Sequence, residues 1–304
     1  MSDQIRGSLL VLFGAFLWGT LVVVTSGVTW IQPATVAVVR AGLAALGCVL
    51  WLGTRTPRLL RVAPRDFLWL FFYGGATAGF MYAGFTIALS RLSVATSEVI
   101  FYTFPLFTTI LGVFILRERP SGMQVFSCLL LLSGVASMTA LTGKGNAGVS
   151  FHASFPLEGV LAAVLSMLGM TIQSLVARKN ARKNWMPTET LFSWAQIFGF
   201  VWIALYKSLT TGWSDVPDVT PASWLILAYM GLVCTLLAYG AYNLGLRYIS
   251  AATASMLASF EMVTAVVLAA LALGAVPTAG EVIGSVVILI ALVLGTCGAE
   301  RATA

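Results

Sequence analysis

Residues 82–125 and 239–282 align with each other without a gap. Tyr82 meets Tyr239, Ser93 meets Ser250, Ala95-Thr96 meets Ala252-Thr253, and Pro120 meets Pro277. Each stretch reads as a long apolar helix, a tight polar turn, a second long apolar helix and another short turn. Self-similarity at a spacing of half a chain restricts the fold to two copies of one unit. The correspondence extends outward. Pro33 begins a second span and Pro187 a seventh, which sets Arg40 opposite Trp194. The first span laid over the sixth sets Trp18 opposite Met170.

The units belong in a bilayer. Of the 304 residues 59% are hydrophobic and 9% charged, against roughly 25% charged in a soluble domain. The apolar runs have the length that crosses a membrane, about 20 residues. About ten are present, near 7–24, 33–53, 66–89, 93–116, 121–141, 156–177, 187–209, 222–246, 250–273 and 279–298. The expected fold is all-α, a polytopic membrane protein of ten transmembrane helices. Five spans per copy, an odd number, invert the second copy relative to the first. The expected division is a first repeat over 1–141, an external linker over 142–155 and an inverted second repeat over 156–304. The first run is longer than a signal-peptide core and is followed at once by another span, so it is expected to stay.

The net charge of +6 is read as topology rather than nucleic-acid binding. With the N-terminus inside and the loops alternating, the inner side collects Arg6, Arg55, Arg58, Arg61, Arg65, Arg117, Arg119, Arg178, Lys179, Arg182, Lys183, Arg247 and Arg301, while Arg91, Lys144 and Lys207 fall in the outer loops. Positive charge on the inner side predicts a multi-pass protein of the cell's inner (plasma) membrane with both termini cytoplasmic. Cys48, Cys128, Cys234 and Cys297 all lie in apolar runs and are expected as buried free thiols. Gly74, Gly75, Ala78, Gly79, Ala83 and Gly84 form a small-residue track, which serves helix packing within one molecule or a homodimer contact.

Charges within spans are costly, about 2.5–3.5 kcal/mol each on insertion scales, and so point to function. Arg40 and Glu98 lie at similar depths, roughly 10 and 8 Å from the outer ends of their spans, and are expected to pair or share a hydrogen-bond network. Glu261 lies roughly 16 Å from its inner turn, near the midplane. It reads as a proton-coupling or substrate-amine site, or as a protonated carboxyl bonded across helices. Trp18, Tyr82, Tyr102, Gln173, Trp194, Tyr239, Tyr242 and Asn243 form an aromatic and polar set. Such a set lines a cavity for an amphiphilic metabolite or packs the core. The sequence carries no metal-ligand cluster, P-loop or ATPase motif, so no cofactor, metal or enzymatic activity is expected. His152 is the one histidine and lies in the linker.

Trp18-Gly19, Arg40, Phe104-Pro105, Arg117-Glu118-Arg119 and Phe260-Glu261, set in two five-helix copies, resemble the drug/metabolite transporter superfamily and its EamA-type carriers. Met170, Met262 and Ala275 depart from the tryptophan, proline and acidic residue common there. The resemblance implies a carrier with a central cavity worked by alternating access, and export of small amphiphilic metabolites such as amino acids. Two readings compete with it: uptake or exchange of a cationic solute (a choline-like amine or lipophilic drug), and a membrane enzyme or non-transporting interaction protein. A small-molecule substrate, the lipid bilayer and protons as coupling ion are the expected partners.

Overall fold

The computed structural model describes residues 2–140 and 156–303; the expected linker and His152 lie outside the described residues. Among the described residues the structure is helical, with no strand. Eight helices are long and apolar enough to cross a membrane. In chain order the helical stretches are α1 (Asp3–Thr25), α2 (Pro33–Arg55), α3 (64–91), α4 (Val94–Ile115) and α5 (Gly122–Ala140). After the linker come α6 (Leu157–Lys183), α7 (Thr188–Thr210), α8 (Pro221–Gly245), α9 (Ala251–Leu273) and α10 (Ala279–Thr303). The eight apolar spans exclude α3 and α7.

The starts of these helices follow from local chemistry. Pro33, Pro64 and Pro221 sit in first turns, where a missing N–H leaves no bond unmade. Ser93 and Ser250 are matched N-caps: each hydroxyl accepts from the backbone N–H three residues on, at 3.1 Å. Each such cap stabilises its helix by about 1 kcal/mol.

Irregularities recur at the positions that self-alignment sets opposite each other. A π-turn interrupts α3 at Gly75–Gly79 and α8 at Leu232–Leu237. A break interrupts α4 at Tyr102-Thr103 and α9 at Ser259. Pro105 accounts for the first break, since its ring excludes the backbone bond of a regular helix. Met262 stands at the matching place in α9 and the break is kept.

The bundle has two ends. At the end where α1 begins, called proximal here, Gln4 shares a cavity with Arg117, Arg178 and Ala252. At the distal end Val22 shares a cavity with Val94, Ala269 and Ala275. The outer faces are apolar and bare: Leu271 is 79% exposed, Leu225 75% and Phe114 75%. A lipid surround accounts for that exposure. The interior holds small and polar side chains instead. Gly134 of α5 and Gly284 of α10 bring their helices together so closely that a Cβ on Gly134 would lie 3.0 Å from the Gly284 carbonyl. The small-residue track of α3 is spent within the molecule, with Gly74 against Phe198 and Gly199 of α7 and Gly84 against Ala162 and Ser166 of α6.

Three expectations need correction. Arg178, Lys179, Arg182 and Lys183 are not in a loop but in the last turns of α6, which runs on until Asn184 turns left-handed at φ 47°. Lys207 is not an exposed loop residue. It is fully buried in the last turn of α7 because an ion pair to Asp215 covers it. Cys48, Cys128 and Cys234 are buried, but Cys297 is exposed, since one face of α10 looks outward.

Candidate functional site

Halfway along the bundle, α1, α2, α3, α4, α8 and α9 meet in a polar and aromatic cluster. Trp18 of α1 lies 4.6 Å from the ring of Tyr239 and 5.6 Å from that of Tyr242, both on α8. The chain following Trp18 can approach α9 because residue 19 is glycine: a Cβ there would collide with the Thr264 side chain. Glu261 begins the second segment of α9, past the break at Ser259. Its carboxylate interacts electrostatically with Glu98, Tyr102 and Arg40.

Arg40 reaches across from α2. Its guanidinium lies over the Tyr82 ring, 5.3 Å from the centroid, and its Nε donates to Thr235 Oγ1 at 3.3 Å. Thr235 lies in the π-turn of α8 and its hydroxyl donates to the Met230 carbonyl at 2.8 Å. The π-turn thus presents an acceptor that a regular helix would aim elsewhere; such turns gather at functional sites. Beside it Tyr229 donates to Thr20 Oγ1 at 3.0 Å, and Thr20 lies 3.4 Å from Cys234 Sγ. The Tyr242 hydroxyl and Ser174 of α6 share a hydrogen bond of 2.7 Å, and Tyr239 donates to Met81 Sδ at 3.4 Å.

Several buried polar atoms have no partner among the described residues: Trp18 Nε1, Ser97 Oγ and Ser259 Oγ. Buried polar groups are nearly always satisfied. An indole N–H and two hydroxyls are thus exceptions to that rule.

Two of the expected residues lie elsewhere. Trp194 packs against Phe67 and Phe198 at 5.5 and 5.2 Å and donates to the Leu60 carbonyl at 3.3 Å, so its edge is spent on the loop before α3. Asn243 is buried, donates to the Tyr239 carbonyl at 2.8 Å, and lines a lateral apolar cavity of about 410 Å³ with Phe13 and Trp51. Gln173 is buried on α6 next to Ser174. Arg40 and Glu98 form no ion pair among the described residues. Their depths match, but Arg40 turns toward Tyr82 and Thr235 whereas Glu98 opens into the distal cavity. Thr20, Tyr229 and Thr235 escaped the sequence reading, because a lone hydroxyl in an apolar span carries no distinguishing pattern.

The ends differ. At the proximal end Arg178 Nε donates to Glu118 Oε1 at 3.1 Å, and its Nη1 to the carbonyls of Leu246 and Arg247 at 3.0 and 3.2 Å. Glu118 Oε2 accepts from the backbone N–H of Ala251 at 3.2 Å. One ion pair therefore ties α4, α6 and the α8–α9 turn. At the distal end a cavity of about 420 Å³ reaches in to Glu98 between α4, α9 and α10. Off to its side Lys207 Nζ lies 2.9 Å from Asp215 Oδ1, and the Thr35 hydroxyl donates to Asp215 Oδ2. Burial pushes the Asp215 carboxyl up, but the hydrogen bonds from Thr35 and Lys207 and the Lys207 charge outweigh it and hold the carboxyl below its usual range.

Comparison with known proteins gives one kinship. The EamA-like transporter family model matches residues 5–140 and again 157–296. An uncharacterized transporter of Clostridium kluyveri is 26% identical over 217 residues, 71% of this chain and 67% of that one. The uncharacterized inner membrane transporter YhbE of Escherichia coli K12 is 35% identical over 136 residues, 42% of this chain and 41% of that one. A biotin transporter of Salmonella typhimurium LT2 is 26% identical over 217 residues, covering 71% and 67%. A crystal structure overlays with a TM-score of 0.82 at 21% identity, over 97% of this chain and 98% of that one, a likeness of fold. With a helical bundle whose bare apolar faces suit lipid and a family match in both halves, this chain is a multi-pass membrane protein belonging to the EamA-like transporter family.

Proposed function

We propose that this transporter is a secondary carrier of small amphiphilic metabolites, amino acids first among them, exporting them by alternating access. The observation that supports the substrate class is that Arg40, seated over the Tyr82 ring, and Glu261 both act within one aromatic cluster. A zwitterion needs a cation for its carboxylate and an anion for its ammonium, and rings whose faces hold an ammonium group. Trp18, Tyr82, Tyr102 and Tyr239, packed together in the core, are the residues that contact the solute in this reading.

We read the chain as ten spans in two inverted five-helix repeats, 1–141 and 156–304. The matched π-turns and breaks support duplication. Inversion is supported by the cavities: α4 begins at the distal end and α9 ends there, while the close of α4 and the start of α9 share the proximal one. The proximal end, rich in arginine, is the cytoplasmic side by the positive-inside rule, with both termini there. The chain then faces outward, with Glu98 reached from the distal cavity and the Glu118–Arg178 pair closing the other side. Protons are the coupling ion in this reading, carried on Glu261. The bare faces of the bundle leave room for a homodimer.

A cationic solute is the second reading, favoured by two carboxylates, Glu98 and Glu261, that lie close enough to act on each other. Purified protein in liposomes separates the two: counterflow of radiolabelled amino acids supports the first, counterflow of quaternary amines the second, and movement of neither rejects both. Glu261→Gln is expected to remain folded by size exclusion and to lose the pH dependence of transport. An unchanged pH profile removes the proton role. Although no direct bond joins Arg40 and Glu98, both act on Glu261, so Arg40→Gln and Glu98→Gln are expected to act non-additively through that shared partner; simple additivity would show that they share no network.

A further inference from the structure

The proximal cavity has a volume of about 420 Å³ and is lined by Arg117, Arg119, Arg178 and Arg182, with the hydroxyls of Ser250 and Thr253. Its one lining carboxylate is Glu118, and both oxygens of that group are already engaged, by Arg178 and by the Ala251 N–H. A neighbouring cavity of about 520 Å³ shares Arg117 and Arg182 and adds Lys179 and Lys183, with no acidic residue. Arg117 and Arg119 make no ion pair among the described residues.

The backbone is bent to make this arrangement. Arg117 is left-handed at φ 54°, a conformation that non-glycine residues adopt rarely and that gathers at ligand clamps. The bend follows the end of α4 and sets three consecutive residues, Arg117, Glu118 and Arg119, around one space. A regular continuation of the helix would spread them by about 100° each around its axis.

We propose that this cavity is an anion site, taking a phosphate or carboxylate group between Arg117, Arg119 and Arg182, and that its occupant competes with Glu118 for the Arg178 guanidinium. Guanidinium groups recognise such oxyanions through paired N–H donors. Arg178 holds α6 to the α8–α9 turn only while it is seated on Glu118, Leu246 and Arg247. An anion that draws it away loosens that end of the bundle. A lipid headgroup and a free anion present the same oxygens, and the experiment separates them.

The full-length protein in phosphatidylcholine nanodiscs is titrated with inorganic phosphate and with acetate at constant ionic strength, against chloride, and unfolded by heat. A saturable rise in Tm is expected. Its midpoint is expected to weaken about ten-fold in Arg119→Gln, through loss of one charged partner. It is expected to tighten about ten-fold in Glu118→Gln, because the competing carboxylate is gone. Arg119 is exposed and outside the ion pair, so its variant decides the matter even where Glu118→Gln does not fold. Nanodiscs containing phosphatidylglycerol that show the Arg119-dependent rise without phosphate assign the site to a headgroup. Equal midpoints in wild type and Arg119→Gln, or no saturation with any of the three probes, overturn the proposal.

Discussion

Each end of the bundle has a shielded ion pair beside an exposed one, and the shielded pairs differ in kind. At the proximal end Arg178 and Glu118 are 18% and 16% exposed and spread their bonds over three structural elements. At the distal end Lys207 is completely buried and serves one loop, through Asp215 to Thr35. Where self-alignment places the counterpart of Glu118, the distal end has Ala275, which lines an open cavity. The one distal pair at a matched turn, Arg91 with Glu158, is 54% and 65% exposed. The comparison teaches that turns matched in backbone differ in the side chains that bridge them.

The largest effect should come from the distal clamp. Asp215→Asn leaves Lys207 buried without a counter-charge, and calorimetry should show a loss of about 3 kcal/mol. Lys207→Met in the same background should recover most of it; failure to recover would mean that Asp215 acts through the loop alone. Because the Asp215 carboxyl is held below its usual range, its contribution is complete above the range of an unfolded aspartate. It fades as pH falls through the lowered folded value. Wild type and Asp215→Asn should therefore converge in Tm on acidification.

Next in size is the proximal pair. A double-mutant cycle of Glu118→Gln and Arg178→Gln should give a coupling of about 1.5 kcal/mol. A coupling within about 0.3 kcal/mol of zero would reduce it to a surface contact and erase the contrast between the ends. Smallest is Arg91→Gln, expected to change stability by less than about 0.5 kcal/mol, since exposed pairs are screened by solvent. A loss as large as that of the proximal pair would show the distal end to be latched as well.

Much of this was legible in the sequence. The apolar runs gave the helices, and the self-alignment of Ser93 with Ser250 anticipated two caps that match in partner and distance. The sequence reading set Trp18 and Tyr239 in one group, and the structure brings their rings to 4.6 Å; a shared role in binding is a proposal. Rotation about the helix axis was not legible. Depth follows from counting residues, but whether Arg40 faces Glu98 or Tyr82 depends on the π-turns, which shift the phase of α3 and α8 and leave no mark in composition. Trp194 failed for the same reason. Lys207 failed because its partner is eight residues away in a loop whose path no periodicity describes.

The breaks in α4 and α9 share a position but not a cause. Pro105 has no N–H to give, so α4 is bent for good. In α9 Met262 keeps its N–H, which donates to the Ser259 carbonyl at 3.1 Å, one residue short of the regular partner. That helix can straighten by exchanging one backbone acceptor for the next. The second half of the chain therefore keeps at its break a backbone donor that the first half lacks, and Glu261, one residue before Met262, lies beside it.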